Sequence, residues 1–359
     1  MSPENYAHLS NLVIPTATVI YILAMVSHTL EWAMGRAVVT KAVAGDALVT
    51  SAVGAGTSAR AGSAGGADGV TSAGTLTSAS GSAGASATST ISGISAAGGG
   101  DAGRSERADA ASRVGLLLTW LAFLLHLTGV VTRGLAAGRV PWGNMYEFSI
   151  TSSLAVAAVY LLFVHRAKLQ WLGLGVTLFV AAVLGLATLA LYTPAGPLVP
   201  ALHSYWLVIH VSAAAISGGA FTIGGLVSIL YLVKARAERR VLDGGTMSAS
   251  LKRLPSAEAM DGTAYKVLAF AFPLWTFGVL VAGPIWAEYA WGRYWGWDPK
   301  EVWSLVTWVV YAAYLHARAT AGWRGRRAAT IAIVGWFVFI FNFVGVNLLV
   351  SGLHSYAGV

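Results

Sequence analysis

The chain has no cysteine and few charged residues. None of its 359 residues is cysteine, 11% are charged and 56% are hydrophobic. Without cysteine there is no disulfide, no thiolate nucleophile, no thiolate metal ligand and no thioether bond of the chain's own to a haem, which excludes a c-type cytochrome. The charged fraction is less than half of that in average soluble domains. The composition therefore predicts an integral membrane protein.

Long apolar runs make up most of the sequence. A membrane-spanning helix needs roughly 20 apolar residues, and these runs are continuous rather than alternating, which favours helices over a β-barrel. The first run lacks a basic leader and a clear cleavage site, so we expect it to persist as a helix. We predict an all-α, polytopic membrane helical bundle with about eight transmembrane helices, near residues 10–34, 114–132, 147–164, 172–192, 205–233, 266–287, 302–320 and 328–350.

The segment between the first two apolar runs is poor in large side chains. Residues 40–112 consist mainly of Ala, Gly, Ser and Thr, a composition that cannot bury enough apolar surface to offset the ordering of the chain. We therefore expect a first transmembrane helix in residues 1–36, a disordered cytoplasmic linker in residues 37–112 and a seven-helix domain in residues 113–359.

The basic residues are distributed unevenly between the two ends of the helices. The net charge is +8, a value that also occurs in nucleic-acid binders. Basic loops tend to remain in the cytoplasm, so their distribution indicates membrane orientation and not nucleic-acid binding. We predict that both termini and the loop at residues 288–303 face the extracytoplasmic side of the plasma membrane. In that orientation all Lys and Arg lie on the inner side except Arg133, Arg139, Arg293 and Lys300.

The segment from Trp291 to Trp303 concentrates aromatic and charged side chains. It has the sequence WGRYWGWDPKEVW and lies between two apolar runs. Tryptophan is common at membrane interfaces, but an aromatic belt explains one or two of these indoles and not the whole series. The indoles offer stacking area for a planar amphiphilic ligand, and Arg293 and Lys300 offer charge for its anionic groups.

A helix is predicted to begin inside this segment. Asp298 has the position of an N-cap, Pro299 that of the first helical residue and Glu301 that of the capping-box partner. The two carboxylates are therefore expected to order the loop and the helix start.

Three histidines lie at depths that suit two ligand sites. His210, near the start of the fifth predicted helix, and His354, just after the last, both lie near the outer surface beside the Trp-rich loop. His316 follows Asp298 by 18 residues, which is about 27 Å deeper along a helix. Two separate helices can supply the two imidazoles of a bis-His iron site. On spacing alone, unrelated interfacial histidines and a hydrogen-bonded bundle histidine at position 316 remain open alternatives.

Three further histidines are considered as ligands. His28 is expected at a depth similar to that of His316, and His126 lies in the second predicted helix, so either is a candidate second ligand for a deep site. His203 precedes His210 by seven residues and is expected in a loop.

These motifs resemble a known family. WGRYWGWDPKEVW is similar to the signature of the WWD family of haem-handling proteins in cytochrome c maturation, and its Pro-Lys-Glu continuation resembles the System II branch of the CcsA/ResC type. YWLVIHV around His210, LHS around His354 and PWGNMYE from Pro141 to Glu147 match as well. The resemblance covers residues 114–359. The Ala/Gly/Ser-rich insertion departs from the family pattern and leaves the docking of the first helix open.

The resemblance implies a haem site and a set of partners. His210 and His354 are the implied ligands of haem b outside the membrane, and His316 is the implied ligand of haem during its passage from the cytoplasmic side. In such systems the second deep ligand comes from a ResB/Ccs1-type membrane protein, and apocytochrome c receives the haem; thiol-reducing proteins are further possible partners. The other implied haem-site residues are Trp291, Trp295, Trp297, Asp298, Trp303, Arg293 and Lys300.

The resemblance implies a membrane subunit of a cytochrome c synthase, a haem lyase. Such a subunit moves haem outward and presents it for thioether attachment to the CXXCH motif of apocytochrome c. A chain without cysteine contributes positioning to this reaction and no nucleophile. Two alternatives are a haem exporter without ligation activity and a diheme b-type oxidoreductase subunit. The second is disfavoured because it pairs histidines on facing helices at two depths, whereas His210 and His354 lie near loops.

Overall fold

The structure is a computed structural model that describes residues 1–34, 92–196 and 204–354. Over these residues the chain folds into helices and forms no strand, which confirms the predicted all-α fold. Two π-helical segments, Phe277–Ala282 and Phe341–Gly345, each join two helices end to end. The helices are α1 (Pro3–Met34), α2 (Ser92–Ala137), α3 (Met145–Phe163), α4 (Gly173–Ala190), α5 (Tyr205–Leu242), α6 (Ala249–Arg253), α7 (Ala257–Thr276), α8 (Gly283–Trp291), α9 (Pro299–Thr320), α10 (Arg326–Ile340) and α11 (Val346–Leu349).

Seven continuous helices of the described chain are long and apolar enough to cross a membrane. Helix α9, the eighth predicted span, has 22 residues and is also long enough. It is less apolar than the others because it carries Lys300, Glu301, His316 and Arg318. The seven are Pro3–Met34, Glu106–Ala137, Met145–Phe163, Gln170–Ala190, Tyr205–Leu242, Ala257–Trp291 and Arg326–Leu349.

Helices α9 and α10 form an antiparallel hairpin. They pack against each other, and the start of α9 meets the residues that follow α11, where His354 Nδ1 lies 2.8 Å from Asp298 Oδ2. Because both ends of the hairpin lie at one level, α9 covers the same depth as α10 and α11 together. The packing of α9 therefore supports it as a membrane-spanning helix, although its composition alone does not indicate one.

Helix α1 packs against α2 and α4. Ser27 Oγ donates to the Ala111 carbonyl over 2.8 Å. The imidazole of His28 fits between Gly115 of α2 and Gly173 of α4, where a Cβ atom on either glycine would lie within 3.0 Å of the ring. Only glycine allows the helices to approach so closely. The first helix is therefore docked on the rest of the bundle.

The C-terminal part of the predicted linker lies in helix α2. Helix α2 begins at Ser92, so residues 92–112, which we assigned to the linker, are helical. Alanine has the highest helix propensity, and this stretch continues into the apolar run at residue 114, so one nucleus extends through both. Residues 37–91 of the predicted linker lie outside the described residues.

Polar N-caps fix the starts of three helices near the candidate site. Asn144 Oδ1 accepts from the backbone N–H of Glu147 at α3, Ser204 Oγ accepts from that of Trp206 at α5, and Asp298 caps α9. Each cap pairs an N–H group that has no partner inside its helix. Helix α5 is the central element and packs against α3, α7 and α10.

Candidate functional site

A cavity of about 260 Å³ lies between α3, α5, α8 and the α10–α11 unit. We call it the histidine cavity because His210 and His354 both line it. Trp291, Trp295 and Lys300, which the sequence also marks as site residues, contribute to the same lining. The fold therefore brings together five side chains that are up to 144 positions apart in the sequence.

His210 lies in the second turn of α5, and its ring is fixed on two sides. Nδ1 lies 2.7 Å from the carbonyl oxygen of Gly278, and the ring stacks on the indole of Trp286 with centroids 5.8 Å apart. Gly278 belongs to the first π-helical segment, and such segments often occur at functional sites. A carbonyl oxygen only accepts, so Nδ1 carries the proton and Nε2 keeps its lone pair.

His354 is fixed in a similar way from the C-terminal side of the cavity. Its Nδ1 donates to Oδ2 of Asp298 over 2.8 Å, and its ring meets Trp286 and Trp291 edge to face at 5.6 and 4.8 Å. A carboxylate on Nδ1–H orients an imidazole and strengthens its other nitrogen as a metal ligand. Nε2 is therefore the nitrogen of His354 that suits a metal.

Asp298 joins the start of α9 to the residues around His354. Oδ1 accepts from the Leu353 N–H over 2.6 Å, and Oδ2 accepts from the Lys300 N–H. The capping box that we predicted between Asp298 and Glu301 is also present. Burial raises the pKa of Asp298, but the hydrogen bond and charge of His354 and the two N–H groups outweigh it and hold the pKa below its ordinary value. The carboxylate is therefore ionised at neutral pH.

Trp286 lies at the centre of the site and was missed by the sequence analysis. Its side chain is 2% exposed and contacts both His210 and His354. Trp142, from the loop before α3, packs in the same apolar cluster. The available signal was the spacing of Trp286 five residues before Trp291, but sequence alone does not separate a buried indole from an interfacial one.

The tryptophans of the Trp-rich segment fall into two groups. Trp291 and Trp295 line the histidine cavity, whereas Trp297 and Trp303 lie outside its lining. Trp297 is 72% exposed and has a φ of 56°, a left-handed conformation that is uncommon for residues other than glycine. Trp303 packs on Phe341, with ring centroids 4.4 Å apart. Of the four indoles that we predicted as site residues, Trp291 and Trp295 are therefore the two that line the cavity.

The two cations of the segment also differ in position. Arg293 is exposed, lies outside the cavity lining and folds its guanidinium over Gly296. Lys300 lines the cavity, and its Nζ donates to the carbonyl oxygen of Asn342 over 2.7 Å. Of the two predicted partners for an anionic group, only Lys300 is placed to meet a ligand inside the cavity.

His316 lies on the outer face of α9, towards the end opposite Asp298, and its side chain is exposed. Arg318, two residues further, points into the bundle and forms a bidentate pair with Asp261 at 2.9 and 3.0 Å. Residues two apart on a helix face different directions. The Arg318–Asp261 pair therefore holds α9 with His316 turned outward.

The structure does not bring His28 to His316. The ring of His28 is 1% exposed and is confined between Gly115 and Gly173, which leaves no room for a porphyrin beside it. Helix α1 packs on α2 and α4, whereas α9 packs on α10 and α7. His28 is therefore a packed core residue, and the structure argues against it as a second deep ligand.

His126 is likewise a packed residue. It is fully buried, its Nε2 donates to the Ile150 carbonyl over 2.8 Å, and its ring meets Tyr21 edge to face. Neither contact is with α9, the helix that carries His316. His203, kept as a possible third outer histidine, lies outside the described residues.

A buried ionic cluster holds the loop before α3 beside the cavity. Glu147 is fully buried and receives hydrogen bonds from Arg133 Nε over 2.9 Å and Arg139 Nη1 over 2.6 Å. Arg139 also donates to the carbonyl of Gly196, beyond α4. The ionic cluster anchors the loop that carries Trp142. Because Trp142 packs in the same apolar cluster as Trp286, the anchored loop also supports the site.

Together these features define a class of protein. The chain is a multi-pass helical membrane protein with a mostly apolar cavity, stacked indoles and two imidazoles whose Nδ1 atoms are both engaged. Two such Nε2 atoms suit an iron whose other ligands come from a planar macrocycle. The fold and the site are thus those of a multi-pass helical membrane protein with a cavity that suits a planar ligand.

Comparison with known proteins gives the family. The family model described as cytochrome C assembly protein matches residues 142–354. The chain belongs to this family, which confirms the resemblance inferred from the Trp-rich segment. The cytochrome c biogenesis protein CcsA of Porphyra purpurea is 36% identical over 284 residues, which cover 70% of this chain and 89% of the relative. The proteins of that name from Guillardia theta and Synechococcus sp. (strain JA-3-3Ab) are 39% identical over 262 residues (68% of this chain, 85% of the relative) and 34% identical over 296 residues (68% and 84%).

Proposed function

We propose that this protein is the membrane subunit of a cytochrome c synthase that holds haem at the histidine cavity and presents it to apocytochrome c. Members of the family act in cytochrome c biogenesis, which involves haem and apocytochrome c. We further propose that haem b is bound at the cavity with its iron between His210 and His354. The alternatives of an exporter and a diheme oxidoreductase are not favoured by the family.

The observation that carries this proposal is the shared geometry of the two histidines. Each Nδ1 is engaged, by the Gly278 carbonyl in one case and the Asp298 carboxylate in the other, and both rings contact Trp286. The tautomer is thereby set for ligation through Nε2. Two strong axial ligands leave iron without an open position for oxygen, which protects haem before its transfer.

The shape of the cavity supports a path for haem through the bundle. Along α5 the lining runs from Leu207 to Thr222, a distance of about 22 Å at the helical rise. Small residues such as Ala214, Gly218 and Gly219 form part of this wall. A path of this length reaches from the histidine pair well into the apolar layer, which suits an apolar macrocycle that moves outward.

His316 suits a ligand shared with another protein. Its ring faces outward from α9, so a second imidazole would have to come from a neighbour in the membrane. We propose a ResB/Ccs1-type protein as that neighbour, and a deep haem held between the two. In this arrangement the two termini and the histidine end of the cavity face the extracytoplasmic side of the plasma membrane, as the distribution of Lys and Arg indicates.

In the proposed reaction this chain positions and shields the haem, and the thiols come from the substrate. Apocytochrome c supplies both cysteine thiols and a histidine that replaces one of the two axial imidazoles. The thiols add across the haem vinyl groups, and each addition moves a proton from sulfur to carbon without a change in electron count. Thiol-reducing proteins keep the substrate cysteines available for this addition.

The test uses haem occupancy in three histidine variants of the full chain purified with its partner. We expect His210→Ala and His354→Ala to lose outer haem and keep deep haem, and His316→Ala to lower the haem that reaches the outer site. Absorption and magnetic circular dichroism spectra measure the haem at the outer site and the haem at the deep site. His165→Ala, an exposed loop histidine, is the matched control. Equal haem occupancy in all variants would contradict a site at these residues.

A second measurement separates the synthase from a haem exporter. The complex, with haem and a reduced CXXCH peptide, should yield a peptide with thioether-bound haem, detected by mass spectrometry. Bound haem without any thioether product would show that ligation belongs to another protein. Two permanently bound haems with quinol-dependent turnover would instead support the diheme oxidoreductase.

A further inference from the structure

The histidine cavity has a polar corner formed by α9 and the second π-helical segment. Among its described lining residues, Ser153 and Thr222 donate their hydroxyls to carbonyls of their own helices. Lys300 and Asn342 instead meet across the two elements, since Lys300 Nζ donates to the Asn342 carbonyl over 2.7 Å. At this corner a charged side chain and an amide residue of two different elements therefore line the cavity together.

Lys300 has donors to spare. An ammonium group has three N–H donors, and one of them is directed at Asn342. The neighbouring carboxylate of Glu301 accepts from the backbone N–H groups of Gly296 and Asp298. That carboxylate is already occupied, and the described residues give Lys300 no ion-pair partner. A cation in a mostly apolar cavity favours an anionic ligand.

Asn342 has a buried amide atom without a partner. The residue is 2% exposed, its Nδ2 donates to Ser304 Oγ over 3.0 Å, and its Oδ1 meets no donor among the described residues. A serine hydroxyl both donates and accepts. Turning the amide by 180° therefore lets Oδ1 accept from Ser304 and places Nδ2 at the buried position that has no partner.

We propose that Lys300 and Asn342 form a carboxylate-binding site, which takes a propionate of the haem. This inference rests on the proposed function. Two N–H groups of Lys300 and one of Asn342 are enough to reach both oxygens of a carboxylate. The propionates and the vinyl groups lie at different edges of the porphyrin, so a fixed propionate sets the rotation of the ring about the line through His210 and His354. That rotation decides which vinyl group meets the incoming peptide.

The test compares binding of protohaem with that of its dimethyl ester, which lacks both carboxylates. We expect the full chain to bind protohaem at least about tenfold more tightly than the ester, because charge-assisted hydrogen bonds are lost with the ester. Lys300→Met and Asn342→Leu should each bring this ratio close to one, mainly by weakening protohaem. Spectra of the bound ester serve as a check that each variant is folded.

Asn347→Leu is the matched control. Asn347 also lines the cavity, but its Nδ2 donates to the Phe343 carbonyl of its own helix, so the binding ratio should stay at the wild-type value. A ratio near one in the wild-type chain, or an unchanged ratio in both Lys300→Met and Asn342→Leu, would overturn the carboxylate site. If neither compound gives a spectrum that depends on His210, the proposed function fails together with this inference.

Discussion

Asp298 shows how one side chain can organise a site that it does not line. Its carboxylate caps α9, binds the Leu353 N–H and holds His354. The contacts with Leu353 and His354 join the start of α9 to a segment 55 and 56 positions away in the sequence. The aspartate that follows Trp297 in the signature is thus explained by its bond to His354, and direct contact with the ligand is unnecessary.

Asp298→Asn should weaken haem binding. The amide keeps the shape of the carboxylate but removes its charge, so His354 becomes a poorer ligand. Loss of such an outer-shell partner typically costs about 10- to 100-fold in metal affinity. Haem titration of the purified variant measures the change. Asp243→Asn, at an exposed helix end, should bind like the wild type. Equal affinity in both variants would show that the Asp298–His354 bond has no influence on ligation.

The same substitution should change the dependence of stability on pH. The pKa of Asp298 is lower in the folded state than its ordinary value of 3.8, so the ionised carboxylate stabilises the fold. This contribution is fully present above the ordinary pKa and is lost as the pH falls through the lower folded pKa. The unfolding temperature of Asp298→Asn should therefore lie below that of the wild type at neutral pH, with the gap closing in acid. A gap that is independent of pH would contradict this.

The sequence predicted the residues that depth or composition marks. It did not predict the residues whose role in the site depends on tertiary packing. The depths of His210 and His354 follow from helix length, and the composition of the Trp-rich segment distinguishes it from the rest of the chain. Trp286 and Asn342 each look like ordinary residues of an apolar run, because their importance comes from neighbours on other helices. After Trp291 the chain has left-handed φ angles at Gly292 and at Trp297 itself, and no glycine signals the second of them in the sequence.

At the scale of elements, hydropathy predicted where helices cross the membrane but not how they deviate from α-geometry. The predicted run 205–233 corresponds to α5 and 147–164 to α3, with differences only at the ends. The two π-helical segments could not be foreseen, because their residues are as apolar as those around them. Yet each presents a carbonyl to the site, Gly278 to His210 and Asn342 to Lys300.

Glu147→Gln should destabilise the element that carries Trp142. The substitution leaves Arg133 and Arg139 close together without a carboxylate, and removal of one partner of a buried pair costs about 3–5 kcal/mol. Thermal unfolding in detergent measures the loss. Glu258→Gln, in the exposed first turn of α7, should cost about 1 kcal/mol or less. Similar losses in the two variants would argue against the ionic cluster as an anchor.

At the scale of the whole molecule, orientation in the membrane is open to direct measurement. The chain has no cysteine, so a single introduced thiol reports one position. Tyr294→Cys, in the Trp-rich loop, should react with an impermeant maleimide on intact cells. Asp243→Cys, after α5, should react only once the membrane is permeabilised. The reverse pattern would place the histidine cavity on the cytoplasmic side, and reaction of both on intact cells would contradict the odd number of crossings between them.

The first π-helical segment also sets the phase of the helix that follows it. One residue fewer within Phe277–Ala282 would allow ordinary α-helical hydrogen bonding and would turn everything after it by about 100°. The composition and the length of the span would hardly change, so any measure based on hydropathy would judge the shortened chain equivalent. Trp286 and Trp291 would nevertheless face away from His210. The register of this helix, and not its apolar character, is what aligns indole with imidazole.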